Sequence, residues 1–171
     1  MCLFQRYQQD VDLVWFKDPF PRLHEIVSQS PGLTADPASA VGKLEAIFTD
    51  DGQRGIRYTP FFSNSGLYYL LSSPRTEYFA WTVMSLFDLL QRTGSHQNVV
   101  ALRLMEAYDF SGLVPYLLNP REFPNGDAYH HDPAYMEELR GGRVEPYSFH
   151  MYVSYINTCI HYTMLLYIYY F

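Results

Sequence analysis

The sequence is poor in several things, and each absence narrows the choice. It lacks a basic surplus: 12 Lys and Arg stand against 18 Asp and Glu, a formal net charge of −6. That balance speaks against nucleic acid or an anionic membrane as the principal partner. It has two cysteines, Cys2 and Cys159, near opposite ends. They form no disulfide framework and leave the redox compartment open. No basic stretch followed by an apolar one opens the chain, so no secretory or other targeting signal is legible. No internal repeat points to a solenoid or propeller. Finally, Met151 to Phe171 contains no Asp, Glu, Lys, Arg, Gly or Pro.

What is present is a folded domain's worth of apolar chain. The 171 residues are 48% hydrophobic and 18% charged, which excludes intrinsic disorder and suits one domain better than two. Aromatic residues reach 18%, and six of the 16 tyrosines fall in the last 21 residues. That final stretch has the length of a membrane span. However, Ser154, Asn157, Thr158, His161 and Thr163 interrupt it, and no basic anchors flank it. The break in composition favours a domain over residues 1–150 followed by an aromatic tail, 151–171, foreign to the fold.

Short strands and helices alternate along the domain. Residues 11–16 are β-rich and end at the turn Lys17-Asp18-Pro19. Ser28 to Ala40 has loop composition. Leu44 to Phe48 predicts a short strand closed by Asp50-Asp51-Gly52, and Gly66 to Leu71 a central strand buried on both faces. Thr76 is a candidate N-cap for a helix carrying Phe79, Val83, Leu86, Phe87 and Leu90 on one face, with Gly94 as its stop. Ser95 can cap a second helix with Val99, Leu102 and Met105. Leu113 to Leu118 predicts a strand that Pro115 pushes to an edge. Asn119 to Gly142 is loop-rich, with a helical turn at Pro133 to Leu139. The alternation predicts an α/β domain with a mixed sheet flanked by helices.

Five places could carry chemistry. Asp10-Val11-Asp12 sets two carboxylates at the end of a strand, where a turn lets them converge on a hard cation. Asn64-Ser65-Gly66 offers an amide for polyol hydrogen bonds and a glycine for close backbone approach. Ser95-His96-Gln97 opens a helix, whose free N–H groups favour anions. Phe123-Pro124-Asn125-Gly126 is a turn by composition, and His150 is the last polar residue before the tail. Each taken alone is an ordinary turn, cap or structural histidine. His130-His131-Asp132 reads as a loop.

In this order the motifs resemble the nucleotide-diphospho-sugar transferases, the group that includes plant extensin arabinosyltransferases and pectin xylosyltransferases. The likeness begins at Asp10-Val11-Asp12-Leu13-Val14-Trp15-Phe16-Lys17-Asp18-Pro19, similar to the family's Asp-x-Asp block with its trailing Trp and Asp-Pro. It continues through Asp50-Asp51-Gly52, Tyr58-Thr59-Pro60, Asn64-Ser65-Gly66-Leu67-Tyr68-Tyr69, Arg75-Thr76, His96-Gln97, Phe123-Pro124-Asn125-Gly126 and Pro146 to His150. It spans residues 10–150.

The resemblance implies a partial GT-A fold, a Rossmann-like sheet that holds Mn²⁺ or Mg²⁺ against a nucleotide diphosphate. It implies a metal site of Asp10, Asp12 and His150. It implies donor contacts from Asp10, Asn64, Ser65, Gly66, Asn125 and Gly126, and a catalytic pair of Gln97 and His96. His96 stands where many relatives carry Asp, and no Lys or Arg follows His150. The partners implied are a nucleotide-sugar donor and a glycan or glycoprotein acceptor, with no nucleic acid. The resemblance implies action in the Golgi lumen, with tethering by an N-terminal span that is expected to be missing from this chain. Nine residues precede Asp10, so the base-binding strands of the fold are expected to be largely absent and the entry strand reduced. Two other readings follow from the same residues: a truncated, inactive relative of such an enzyme, and a non-enzymatic module that binds glycans through exposed tyrosines.

Overall fold

Apolar segments separated by turns build a mixed sheet with helices on both faces, seen in a computed structural model. The structure describes residues 5–9, 12–29, 44–52, 62–93 and 96–150. Asp10 and Val11, Tyr58-Thr59-Pro60, Gly94, Ser95, the cysteines and the tail 151–171 lie outside the described residues.

Strand β1 (Gln5–Gln9) is followed by the short β2 (Leu13–Trp15). An entry strand of ladder length therefore precedes the Asp-x-Asp block, where the sequence suggested a reduced one. Its residues alternate weakly in polarity, and pairing to a buried neighbour supplies what its own composition does not. At the turn after β2, the Asp18 carboxylate accepts from the Phe20 N–H at 3.0 Å. Helix α1 (Phe20–Gln29) starts there and buries Leu23 and Ile26 along one stripe. It extends through Ser28 and Gln29, which by composition belonged to a loop. Ser28 is accommodated because its hydroxyl donates to the Glu25 carbonyl at 2.9 Å.

Strands β3 (Ala46–Asp50) and β4 (Ser63–Leu71) form the centre. The sheet order is β1-β4-β3, with the fourth position taken by β5 (Pro115–Leu118). β4 runs antiparallel to both neighbours, while β3 and β5 are parallel. β5 is thus an edge, as Pro115 required. β4 is interior and almost wholly buried, as its apolar run required.

The pleat sends alternate residues to opposite faces. Ile47, Leu67 and Tyr69 pack with Leu23 and Ile26 of α1, and with Leu118 and Phe123. Ala46, Phe48 and Leu70 pack on the other side with Phe79, Val100, Leu104 and Leu113. Those last residues come from α2 (Pro74–Met84), α4 (His96–Glu106) and the loop before β5. Each fully buried large side chain of this kind contributes about 1.5–3 kcal/mol.

The helices after β4 also differ from the sequence reading. Ser73, not Thr76, caps α2. Pro74 takes the first helical position, and Thr76 completes a reciprocal capping box. The periodic run after it is two helices, α2 and α3 (Phe87–Thr93), separated by a turn at Ser85 and Leu86. The Ser85 hydroxyl donates to the Thr82 carbonyl at 2.7 Å, competing with helix continuation. α4 ends in a π-helical turn over Ala107–Ser111, closed by Gly112 at φ 68°, where the left-handed backbone suits glycine.

The loop-rich stretch holds α5 (Gly126–His131) and α6 (Pro133–Arg140), and the chain then returns as β6 (Ser148–His150). β6 pairs antiparallel with β2 in a second, two-stranded sheet. Arg22 clamps α1 to the stretch before α5 through both carboxylate oxygens of Glu122, at 2.8 and 3.0 Å. Among the described residues no helix is long and apolar enough to cross a membrane.

Candidate functional site

The site grows from an irregularity in the sheet. Phe48 of β3 pairs with Tyr68, but the next residue, Thr49, pairs with Asn64. Ser65, Gly66 and Leu67 therefore have no partner on β3, and the strand bulges. The Thr49 hydroxyl lies 3.4 Å from the Asn64 carbonyl and 3.3 Å from the Leu67 carbonyl, spanning the bulge. Within it, Asn64 Oδ1 accepts from the Gly66 N–H at 2.7 Å. The motif Asn64-Ser65-Gly66 is thus a bulge, where its composition suggested a turn before a strand. It has the same result: backbone and polar side chains leave the regular ladder at one place.

Pairing of β2 with β6 delivers the second group. Leu13 lies opposite His150, so Asp12, the residue before it, reaches the imidazole. His150 Nε2 and Asp12 Oδ1 are 3.2 Å apart. His150 is 6% exposed, and its ring packs directly over Gly66. A Cβ on Gly66 would stand 2.2 Å from His150 Cε1 and 2.7 Å from Nε2. Only a residue without a side chain allows this approach. The His150 N–H also donates to the Pro124 carbonyl at 3.1 Å, which brings in the turn that carries Asn125.

The start of α4 completes the ring of groups. His96 Nδ1 lies 3.2 Å from Ser65 Oγ. Gln97 Nε2 donates to Asp51 Oδ2 at 3.0 Å, and Asn64 Nδ2 donates to Asp51 Oδ1 at 2.8 Å. Asn125 Nδ2 donates to the Asp50 carbonyl at 3.3 Å, and its Oδ1 accepts from Ala128 N at 3.4 Å in the first turn of α5. Gly126 begins that helix and is buried. Burial pushes the Asp51 carboxyl above the usual carboxylate range, while the bonds from Asn64 and Gln97 and the proximity of His150 pull it back.

Asp12, Asn64, Ser65, Gly66, His96, Gln97, Asn125, Gly126 and His150 are therefore drawn together from five distant stretches of chain. Asp10 lies outside the described residues. Asp51 was the residue that sequence reading left without a role. It was legible only as part of a turn, Asp50-Asp51-Gly52, where the Asp50 carboxylate indeed accepts from the Gly52 N–H at 2.9 Å. The signal for Asp51 was an acid shortly after the apolar core Ala46-Ile47-Phe48 of a short strand, two residues beyond Thr49, a position that ends up half-buried. Tyr69 is 1% exposed and Tyr68 is partly buried against Phe48 and the core.

A divalent cation can be tested against these donors. Among the described residues no group of three or more His, Cys, Asp and Glu could hold a metal. Asp12 and His150 supply two donors. Ligands in adjacent positions of an octahedral ion with bonds of about 2.1 Å lie about 3 Å apart. The 3.2 Å between Asp12 Oδ1 and His150 Nε2 matches that spacing. Further ligands must come from elsewhere, as expected where phosphate oxygens and water complete the shell.

A family model described as nucleotide-diphospho-sugar transferase matches residues 8–158. No curated protein matches the chain, and no solved structure matches it. The match takes in every segment that contributes to the site.

Proposed function

We propose that this chain, which belongs to the nucleotide-diphospho-sugar transferase family, moves a sugar from a nucleotide-diphosphate donor to a glycan or glycoprotein acceptor in a metal-dependent reaction. The observation that carries the reading is the convergence of Asp12 and His150 with the Asn64–Gly66 bulge and the first turn of α4. One corner offers an oxygen and a nitrogen donor for Mn²⁺ or Mg²⁺. The other offers amide, hydroxyl and backbone groups suited to a polyol.

When bound, the cation supplies charge neutralisation at the leaving diphosphate. Asp12 and His150 would hold it, and Asp10 would contact it or the donor's ribose. Gly66 lets the His150 ring lie against the sheet, so the ring stays in place. Asn64, Ser65, Asn125 and Gly126 would line the donor pocket. Gln97 and His96 would face the anomeric carbon, with the helix N-terminus beside them favouring negative charge. The resemblance to Golgi transferases supports a reaction carried out in the Golgi lumen.

The test is titration calorimetry of uridine and guanosine diphosphate sugars, with and without Mn²⁺, on the wild type and Asp12→Ala. Binding that needs Mn²⁺ and is lost in the variant is the expected result. Equal, metal-independent binding by both proteins would overturn the metal role.

A further inference from the structure

Asp51 sits at the crossing of the two amides, and elementary hydrogen-bond chemistry makes its position directional. An ionised carboxylate accepts and cannot donate. Both amides must therefore turn their NH₂ groups toward it, as they do at 2.8 and 3.0 Å. The opposite end of each amide is then fixed as a carbonyl. For Asn64 that carbonyl takes the Gly66 N–H at 2.7 Å, which pins the bulge over which His150 lies. For Gln97 the carbonyl Oε1 turns away from Asp51.

We propose that Asp51 is a positioning residue for the transfer reaction: by holding both NH₂ groups it makes Gln97 present a carbonyl oxygen, an acceptor, to a hydroxyl of the sugar. The inference rests on the transferase reading and adds to it the polarity of the group that meets the sugar. Asp51 touches no substrate in this scheme and acts through Gln97 and Asn64. Without it, Asn64 keeps its carbonyl on the Gly66 N–H, but the Gln97 amide can rotate by half a turn and offer a donor instead. A sugar hydroxyl accepts that donor too, but the hydrogen-bond direction reverses. The partial charge facing the anomeric centre then changes sign, which is unfavourable where positive charge develops.

The experiment uses the full chain. Proton–nitrogen spectra of side-chain amides, assigned with Gln97→Ala and Asn64→Ala, are compared between wild type, Asp51→Asn and Asp51→Ser. The two NH₂ groups are expected to show the strong deshielding and slow exchange of amides bonded to a carboxylate. Both signatures should be lost in both variants while the melting transition stays cooperative. Unchanged Gln97 and Asn64 amide signals in either folded variant would overturn the proposal.

Initial rates with uridine and guanosine diphosphate sugars and Mn²⁺ supply the functional half. Asp51→Asn is expected to lower kcat by roughly tenfold to a hundredfold, the usual consequence of small misplacement. Donor KM should change much less. In the Gln97→Ala background the same substitution should have a clearly smaller effect. Full additivity would overturn the claim that Asp51 works through Gln97. If the wild type turns over no donor, the transferase reading fails, while the amide spectra still decide whether Asp51 orients the two groups.

Discussion

Gly66→Ala is the sharpest single perturbation of this site. The new Cβ would stand 2.2 Å from His150 Cε1, about 1.2 Å inside the 3.4 Å at which ordinary contact begins. It would also come within 2.9 Å of Asn64 Oδ1. The imidazole cannot simply step back. His150 is 6% exposed, its residue is paired with Leu13 across β2 and β6, and its N–H is tied to the Pro124 carbonyl. Either the ring swings off Asp12, or the bulge opens and breaks the 2.7 Å bond between Asn64 and the Gly66 N–H. Overpacking of this kind costs about 1–3 kcal/mol. At about 2–4 °C per kcal/mol for a domain of this size, the melting midpoint should fall by roughly 2–12 °C. Calorimetry with UDP should show Mn²⁺-supported binding weakened about tenfold or more, as when the support of a ligand histidine is lost. A variant that melts and binds as the wild type does would refute the placement of His150 over Gly66.

Other substitutions separate sterics from backbone strain and from capping. Gly52 has φ +72° with nothing within 4 Å of a Cβ; Gly52→Ala should cost about 1–2 kcal/mol in urea melts through left-handed strain alone, leaving Mn²⁺ binding intact. Thr76 is 3% exposed and its hydroxyl donates to the Leu71 carbonyl at 2.6 Å while completing the cap of α2; Thr76→Ala should destabilise by about 1–2 kcal/mol, with Thr76→Ser recovering most of it. The raised Asp51 carboxyl sets a pH dependence. A group whose pKa is higher folded than unfolded binds more protons in the folded state, so its contribution is full below the ordinary Asp range and falls as pH rises through the folded value. Urea midpoints measured from about pH 4 upward should therefore decline more steeply for the wild type than for Asp51→Asn, and parallel slopes would contradict the burial of that carboxyl.

The elements and their partners were unequally legible. The apolar run into Leu71 announced a buried central strand, Pro115 announced an edge, and Lys17-Asp18-Pro19 announced the turn before α1, because each signal is local chemistry: hydrophobicity, a missing N–H, a side-chain cap. The division of α2 from α3 and the true cap at Ser73 were not legible. Hydrophobic spacing of three and four continues across the Ser85–Leu86 turn, and Ser73 and Thr76 are both capping residues, each with a part in the box. The entry strand β1 was undervalued for a related reason: a polar strand earns its place through β4, its neighbour, rather than through its own residues.

For the site, the sequence by itself determined which residue types stand at which order along the chain, and with them the family. Carboxylates, amides, a glycine and a late histidine are chemical facts of single positions. Tertiary structure alone decided how they meet. The three-residue slip between β3 and β4 lifts Ser65, Gly66 and Leu67 out of the β3 ladder beside Asn64, and no local propensity encodes a register shift against a distant strand. The pairing of β2 with β6 brings Asp12 to His150 across more than a hundred residues of sequence. The placement of Asp51 is the clearest case: in the sequence it is half of an acidic turn, and only folding sets two amides against its two oxygens and half-buries them.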